Sequence, residues 1–157
     1  MHFSASIEIS HFRIPGKISR VGALLLAGVL CDACAAENGA QLPLRIGQHA
    51  FQVEVATTPL QREHGLMGRT ELPTNGGMLF VFERAAQHCF WMRNTPLPLS
   101  IAFVEDNGRI ANLANMQPYT DTLHCPNTEI RYALEVAQGG FQQRGIMTGA
   151  QVDGLPK

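Results

Sequence analysis

The chain reads as mainly β: a compact single-domain β-sandwich or barrel-like sheet with one or two short helices. Three observations predict it. Apolar and polar residues alternate at Phe51–Val55 and at Ile130–Ala137, which is the two-residue period of a strand. Met78–Phe82 (MLFVF) is a continuous apolar run of buried-strand length, and Asp106-Asn107-Gly108 separates two strand-like segments with hairpin chemistry.

From the N-terminus, the first 35 residues read as a leader rather than as part of the fold. Arg13, Lys17 and Arg20 precede the apolar Val21–Leu30, and Ala33-Cys34-Ala35 supplies the small residues at which a signal peptidase cuts. The apolar stretch is too short to span a bilayer comfortably, and neither Cys31 nor Cys34 follows the small residues that lipidation calls for. Export with cleavage near Ala35 is the expectation, giving a periplasmic or secreted protein with no stable membrane insertion. Residues 36–48 are expected to form a short N-terminal segment and 49–153 one β domain.

After the strand at Phe51–Val55 comes one short helix: Thr58 is its N-cap, Pro59 its first residue, Gln61 completes a capping box and Gly65 ends it. Gly68–Gly77 is turn chemistry and leads into Met78–Phe82. A further turn is expected around Glu83–Gln87. Pro96 and Pro98 divide the next segment into two strands, His88–Arg93 and Leu99–Glu105, joined by a bend. The hairpin returns along Arg109–Met116. The polar loop Gln117–Asn127 leads to Ile130–Ala137, a helical turn lies near Phe141–Arg144, and a last strand is expected around Ala150–Val152.

Five motifs, GLMGR (Gly65–Arg69), GMLFVF (Gly77–Phe82), FWMRNT (Phe90–Thr95), PLSIAF (Pro98–Phe103) and YALEV (Tyr132–Val136), occur in an order that resembles the exported bacterial family of domain of unknown function 192, DUF192. The resemblance covers about Phe51 to Val152. It implies a compact β-sandwich domain and export, and it implies no established activity. The family often carries an aspartate where this chain has Ser100, so a role resting on that carboxylate does not transfer.

From Ala36 onward nine Arg and Lys stand against eleven Asp and Glu, a net charge of −2 with histidines neutral. That balance argues against nucleic acid as a partner, which calls for a basic stripe. No phosphate loop, dinucleotide fingerprint, nucleophile elbow or HExxH occurs. No cofactor or bound metal is implied, catalysis is not the favoured reading, and a monomer is expected.

The candidate residues gather at HCFWMRNT, His88–Thr95. Cys89 and Cys125, the two cysteines beyond the leader, read as a disulfide in an exported protein, closing a loop of roughly 37 residues and stabilising by roughly 4 kcal/mol in the chain-entropy account. Each follows a histidine, His88 and His124, but strand alternation points His88 away from Cys89, which disfavours zinc. Adjacency alone does not activate a catalytic cysteine. Trp91, Arg93 and Asn94 are the candidate binding rim, because Trp and Arg are enriched at binding hot spots and the bend places them near a sheet edge. The partner would be a small molecule, a glycan or a protein.

Two alternatives rest on other residues. Met67, Met78, Met92, Met116 and Met147, with histidines, form a ligand set suited to copper(I), although methionine also fills cores. Glu135 is a candidate acid or base of a hydrolase, its expected partner being a nearby arginine. Arg62, Glu63 and His64 are expected on the solvated face of the short helix.

Overall fold

Gly47-Gln48 separates two short segments whose apolar residues alternate, Leu44 and Ile46 before it and Phe51 and Val53 after it, and the chain turns back on itself there. In the structure, a computed structural model that describes residues 41–157, these segments are β1 (Leu42–Ile46) and β2 (His49–Ala56), an antiparallel pair in which Leu44 faces Phe51. The expected leader, with Cys31 and Cys34, lies outside the described residues. β1 falls within the stretch read from sequence as an N-terminal segment, where Pro43 masked its strand character.

Helix α1 (Pro59–His64) begins as its sequence requires. The Thr58 hydroxyl accepts from the Gln61 amide at 3.2 Å, the Gln61 side chain accepts from the Thr58 amide at 3.0 Å, and Gly65 ends the helix at φ 48°. The helix carries the chain across to β3 (Gly76–Ala86), which runs parallel to β2. β3 continues through Glu83–Ala86, where the sequence suggests a turn: Ala86 pairs with Ile130 beyond a bulge after Val81. Tertiary pairing overrides the local polarity there.

The strand expected at His88–Arg93 does not form. Only Phe90 pairs, in an isolated bridge with His124 that exchanges two hydrogen bonds of 2.8 Å. The chain then turns, with Asn94 at φ 56°, and enters β4 (Leu99–Val104) after Pro98. β4 and β5 (Ile110–Met116) form the hairpin announced by Asn107-Gly108, and β6 (Ile130–Ala137) lies between β4 and β3, antiparallel to both. A 3₁₀ turn at Gln142–Arg144 precedes β7 (Val152–Asp153), which pairs with β1.

The result is one seven-stranded sheet in the order β5-β4-β6-β3-β2-β1-β7. It curls until its two edge strands nearly meet, joined by a bridge between Arg109 and Gln151. Of the sandwich and barrel-like alternatives, this is the barrel-like one. Among the described residues no helix is long and apolar enough to cross a membrane.

Curling gives the sheet two apolar faces. The concave face collects residues from all seven strands, Leu44, Phe51, Leu79, Val104, Ile110, Leu134 and Val152 among them, plugged by Phe141 and Ile146. The convex face of β2 to β6 holds Met78, Phe80, Leu99, Ile101, Phe103, Met116 and Ala133, covered by Leu66 and Met92 from the connecting segments. β6 is therefore buried on both sides.

Candidate functional site

On the convex face, the covering segments do not close completely over β3 and β6. α1 with Gly65–Met67 forms one wall and Gln87–Trp91 the other, and between them lies a cavity of about 380 Å³. That is within the range of small-molecule sites, about 300–1,000 Å³. Phe80, Phe82, Phe90 and Trp91 supply its aromatic surface, Thr95 lines it from the turn, and Glu135 comes up from β6.

Strand alternation explains Glu135. Tyr132, Leu134 and Val136 point into the concave core, so Ala133 and Glu135 point to the convex side, where Glu135 sits opposite Met78 and Ile101 on the neighbouring strands. Only 4% of the residue is exposed. No arginine or histidine forms an ion pair with it among the described residues. Burial alone pushes its carboxyl up to about 8 from an ordinary 4.5, so around neutral pH it holds its proton. The arginine partner expected for Glu135 is absent among the described residues: Arg131, four positions earlier on the same strand, pairs with Asp106 at 2.9 Å and lies over Tyr132.

Glu63 and His64 are exposed and Arg62 is half-buried, so this helix face is largely solvated as the sequence suggests, and all three residues also line the cavity. The Arg62 guanidinium donates to the carbonyls of Thr57 and Val81 and lies 5.1 Å from the Phe82 ring centre. His88 stacks on the same Phe82 ring at 3.6 Å, nearly parallel to it, and its Nε2 is 3.2 Å from the Arg84 carbonyl. Phe82 is thus occupied by its wall neighbours, and Phe90 packs edge-to-face against Phe80 while both line the cavity with Trp91.

The rim residues separate. Trp91, 42% exposed, lines the cavity mouth, whereas Arg93 and Asn94 do not line it. Arg93 lies 4.2 Å over the Trp91 ring and pairs with Asp121 at 2.9 Å, which fixes the indole from behind. Asn94 serves the backbone, its carbonyl accepting from the Gly68 amide at 2.9 Å and so tying the two covering segments together. Cys89 and Cys125 are joined by a disulfide beside the Phe90–His124 bridge, which clamps the Trp91 wall to the Gln117–Asn127 loop.

Of the methionines, Met78, Met92 and Met116 are buried in the convex core, Met67 lines the cavity and Met147 is 71% exposed. No group of three or more His, Cys, Asp or Glu positioned for a metal occurs among the described residues. Two other hollows are larger, about 490 Å³ at the open end near Phe141 and about 590 Å³ beside α1. The first has Ser100 and Asn115 already bonded to each other, and the second has Glu54 and Arg69 already paired at 2.6 Å. Of these three spaces, the cavity over β6 is the one that exposes a buried acid without a partner.

The sequence signal for this site was a carboxylate inside IRYALEVA, a run that both faces of the sheet cover. Glu135 is legible there as a candidate acid or base, but alternation does not show that the convex face above it is roofed.

No curated protein matches the chain. Solved structures are similar to it, among them the following two. One is a protein of unknown function from Novosphingobium aromaticivorans, 34% identical, with TM-score 0.72, covering 76% of this chain and 89% of its own. The other, from Sinorhizobium meliloti, is described as a candidate transcription regulator; it is 31% identical, with TM-score 0.71, covering 74% of this chain and 95% of its own. The family profile of DUF192, described as uncharacterized ACR, matches residues 42–154. With the motif order, the curled sheet and the profile in agreement, the chain belongs to the DUF192 family.

Proposed function

We propose that this protein is an exported binding module whose ligand is a small molecule held in the cavity over β3 and β6. The observation that carries the reading is that Glu135 and Trp91, one buried and one at the mouth, line the same cavity. An unpaired buried acid costs stability, and a ligand that supplies its missing hydrogen bonds recovers that cost as affinity. Export rests on the leader sequence, and the Cys89–Cys125 bridge is in keeping with an oxidising compartment. Nucleic acid, suggested by the description of the Sinorhizobium relative, fits poorly with the charge of −2 from Ala36 onward. A hydrolase built on Glu135 fits less well than a binder, since the Thr95 hydroxyl donates to the Arg93 carbonyl and the Cys89 sulfur is bridged.

Thermal shift of the purified protein against a panel of small periplasmic metabolites tests the reading, with Trp91→Ala and Glu135→Gln as controls. Stabilising hits that weaken in both variants are expected. Hits that shift all three proteins equally would place binding elsewhere and end the proposal.

Copper handling is the second reading, favoured by one observation: His64, Met67 and His88 line the same cavity. Anaerobic titration with copper(I) against a competing chelator is the check. A metal taken from the chelator by the wild type but not by Met67→Leu supports it, and a chelator that keeps its copper at all ratios removes it.

A further inference from the structure

The chemistry of the cavity narrows the ligand class, an inference that rests on the binding reading above. An unpartnered carboxyl at the floor can be satisfied by a neutral hydrogen-bonding group or by a cation, and the surroundings favour the cation. Three aromatic residues, Phe80, Phe90 and Trp91, line the cavity, and aromatic rings attract ammonium groups. The carbonyls of Thr57 and Val81 engage the only guanidinium in the lining, that of Arg62, which also lies over Phe82 and makes no ion pair with Glu135. A second carboxylate, Glu63, stands on the wall.

We propose that the cavity binds a small organic amine as its ammonium ion, the ammonium resting against the Glu135 carboxylate and the carbon body lying among Phe80, Phe90 and Trp91. Charge balance then fixes a proton count. The free protein holds Glu135 as the neutral acid, and the incoming ammonium stabilises the carboxylate. One proton therefore passes from Glu135 to the buffer for each ammonium bound, and the pair formed in the cavity is neutral. The other titratable and charged groups facing the cavity are Arg62, Glu63 and His64 from α1 and His88 from the opposite wall; β3 contributes only apolar side chains.

Benzylamine and its neutral counterpart benzyl alcohol are suitable probes. Isothermal titration at pH 7 in two buffers of different ionisation enthalpy reads affinity and proton release together. Benzylamine is expected to bind about tenfold or more tighter than the alcohol, as a charge-assisted hydrogen bond allows, with close to one proton released. Glu135→Gln should lower benzylamine affinity about tenfold and abolish the proton release. Benzyl alcohol binding as well as benzylamine would overturn the ammonium while leaving the cavity as a binding site. Benzylamine binding unchanged in Glu135→Gln, or absent altogether, would also overturn it. If the metabolite panel stays flat as well, the binding reading falls with it.

Discussion

On the concave side of the sheet, buried polar groups have partners. The Ser100 hydroxyl donates to the Asn115 side chain at 2.6 Å and accepts from the Gly139 amide at 2.9 Å, and the Tyr132 hydroxyl donates to the Pro156 carbonyl at 2.7 Å. On the convex side, one strand over from Ser100, Glu135 is as deeply buried and has none. The physical contrast follows from how each face is closed. The concave face is lined by strands from the whole sheet, whose geometry is set by backbone pairing and brings Ser100 and Asn115 together even beside its open end, whereas the convex face is roofed by connecting segments that meet imperfectly over β6.

That contrast can be strained at several points, and the roof offers the largest effect. Removing the clamp with Cys89→Ser/Cys125→Ser should cost about 4 kcal/mol in the chain-entropy account, read as a lowered urea midpoint. If the roof is the separable part, the variant should also lose ligand-induced thermal shifts before it loses its far-ultraviolet strand signal. Simultaneous loss would mean the two faces are one cooperative unit.

Leu134→Ala, which opens a void in the concave core, should cost about 3 kcal/mol without altering ligand affinity by more than about twofold. A large affinity change there would show that the concave core sets the cavity's shape.

Glu135→Gln addresses the open face through pH. Because the folded carboxyl keeps its proton up to about 8 while the unfolded one loses it near 4.5, its contribution to stability is complete below 4.5 and falls as pH rises toward 8. The linkage limit is about 1.4 kcal/mol per pH unit, or about 5 kcal/mol across the whole window, and about half of that total is expected because the cavity admits water. Denaturant melts of wild type and variant should therefore diverge between pH 5 and 8, the variant losing less. Parallel curves would mean that Glu135 is ionised and solvated in the folded state.

Trp91→Ala should be the mildest for stability, below about 0.5 kcal/mol, since the indole is at the mouth and its contacts are chiefly with Arg93. Its effect on affinity should exceed its effect on stability. The reverse order would make Trp91 part of the roof's packing rather than a ligand contact.

Much of this architecture was legible in the residues. The capping box at Thr58–Gln61, the Asn107-Gly108 hairpin and the alternation in β2 and β6 are local signals, readable because each depends on neighbours a few residues apart. The failures were non-local. The end of β3 at Glu83–Ala86 is polar and becomes strand because Ile130 pairs with Ala86 across the bulge. His88–Arg93 is rich in strand formers and does not become one, because only Phe90 finds a pairing partner. A strand is defined by the chain beside it, which periodicity does not report.

The residues alone determined the element types, the bend at Pro96–Pro98, the candidate cysteine pair and the family likeness, since these reside in short-range chemistry and motif order. Only the tertiary structure decided that Trp91 and Glu135 line one cavity while Arg93 and Asn94 brace it from outside. The reason is that β6 is covered on both faces: an alternating strand marks Glu135 as outward, and whether outward means water or a roofed cavity depends on segments far earlier in the chain, at α1 and Gln87–Trp91.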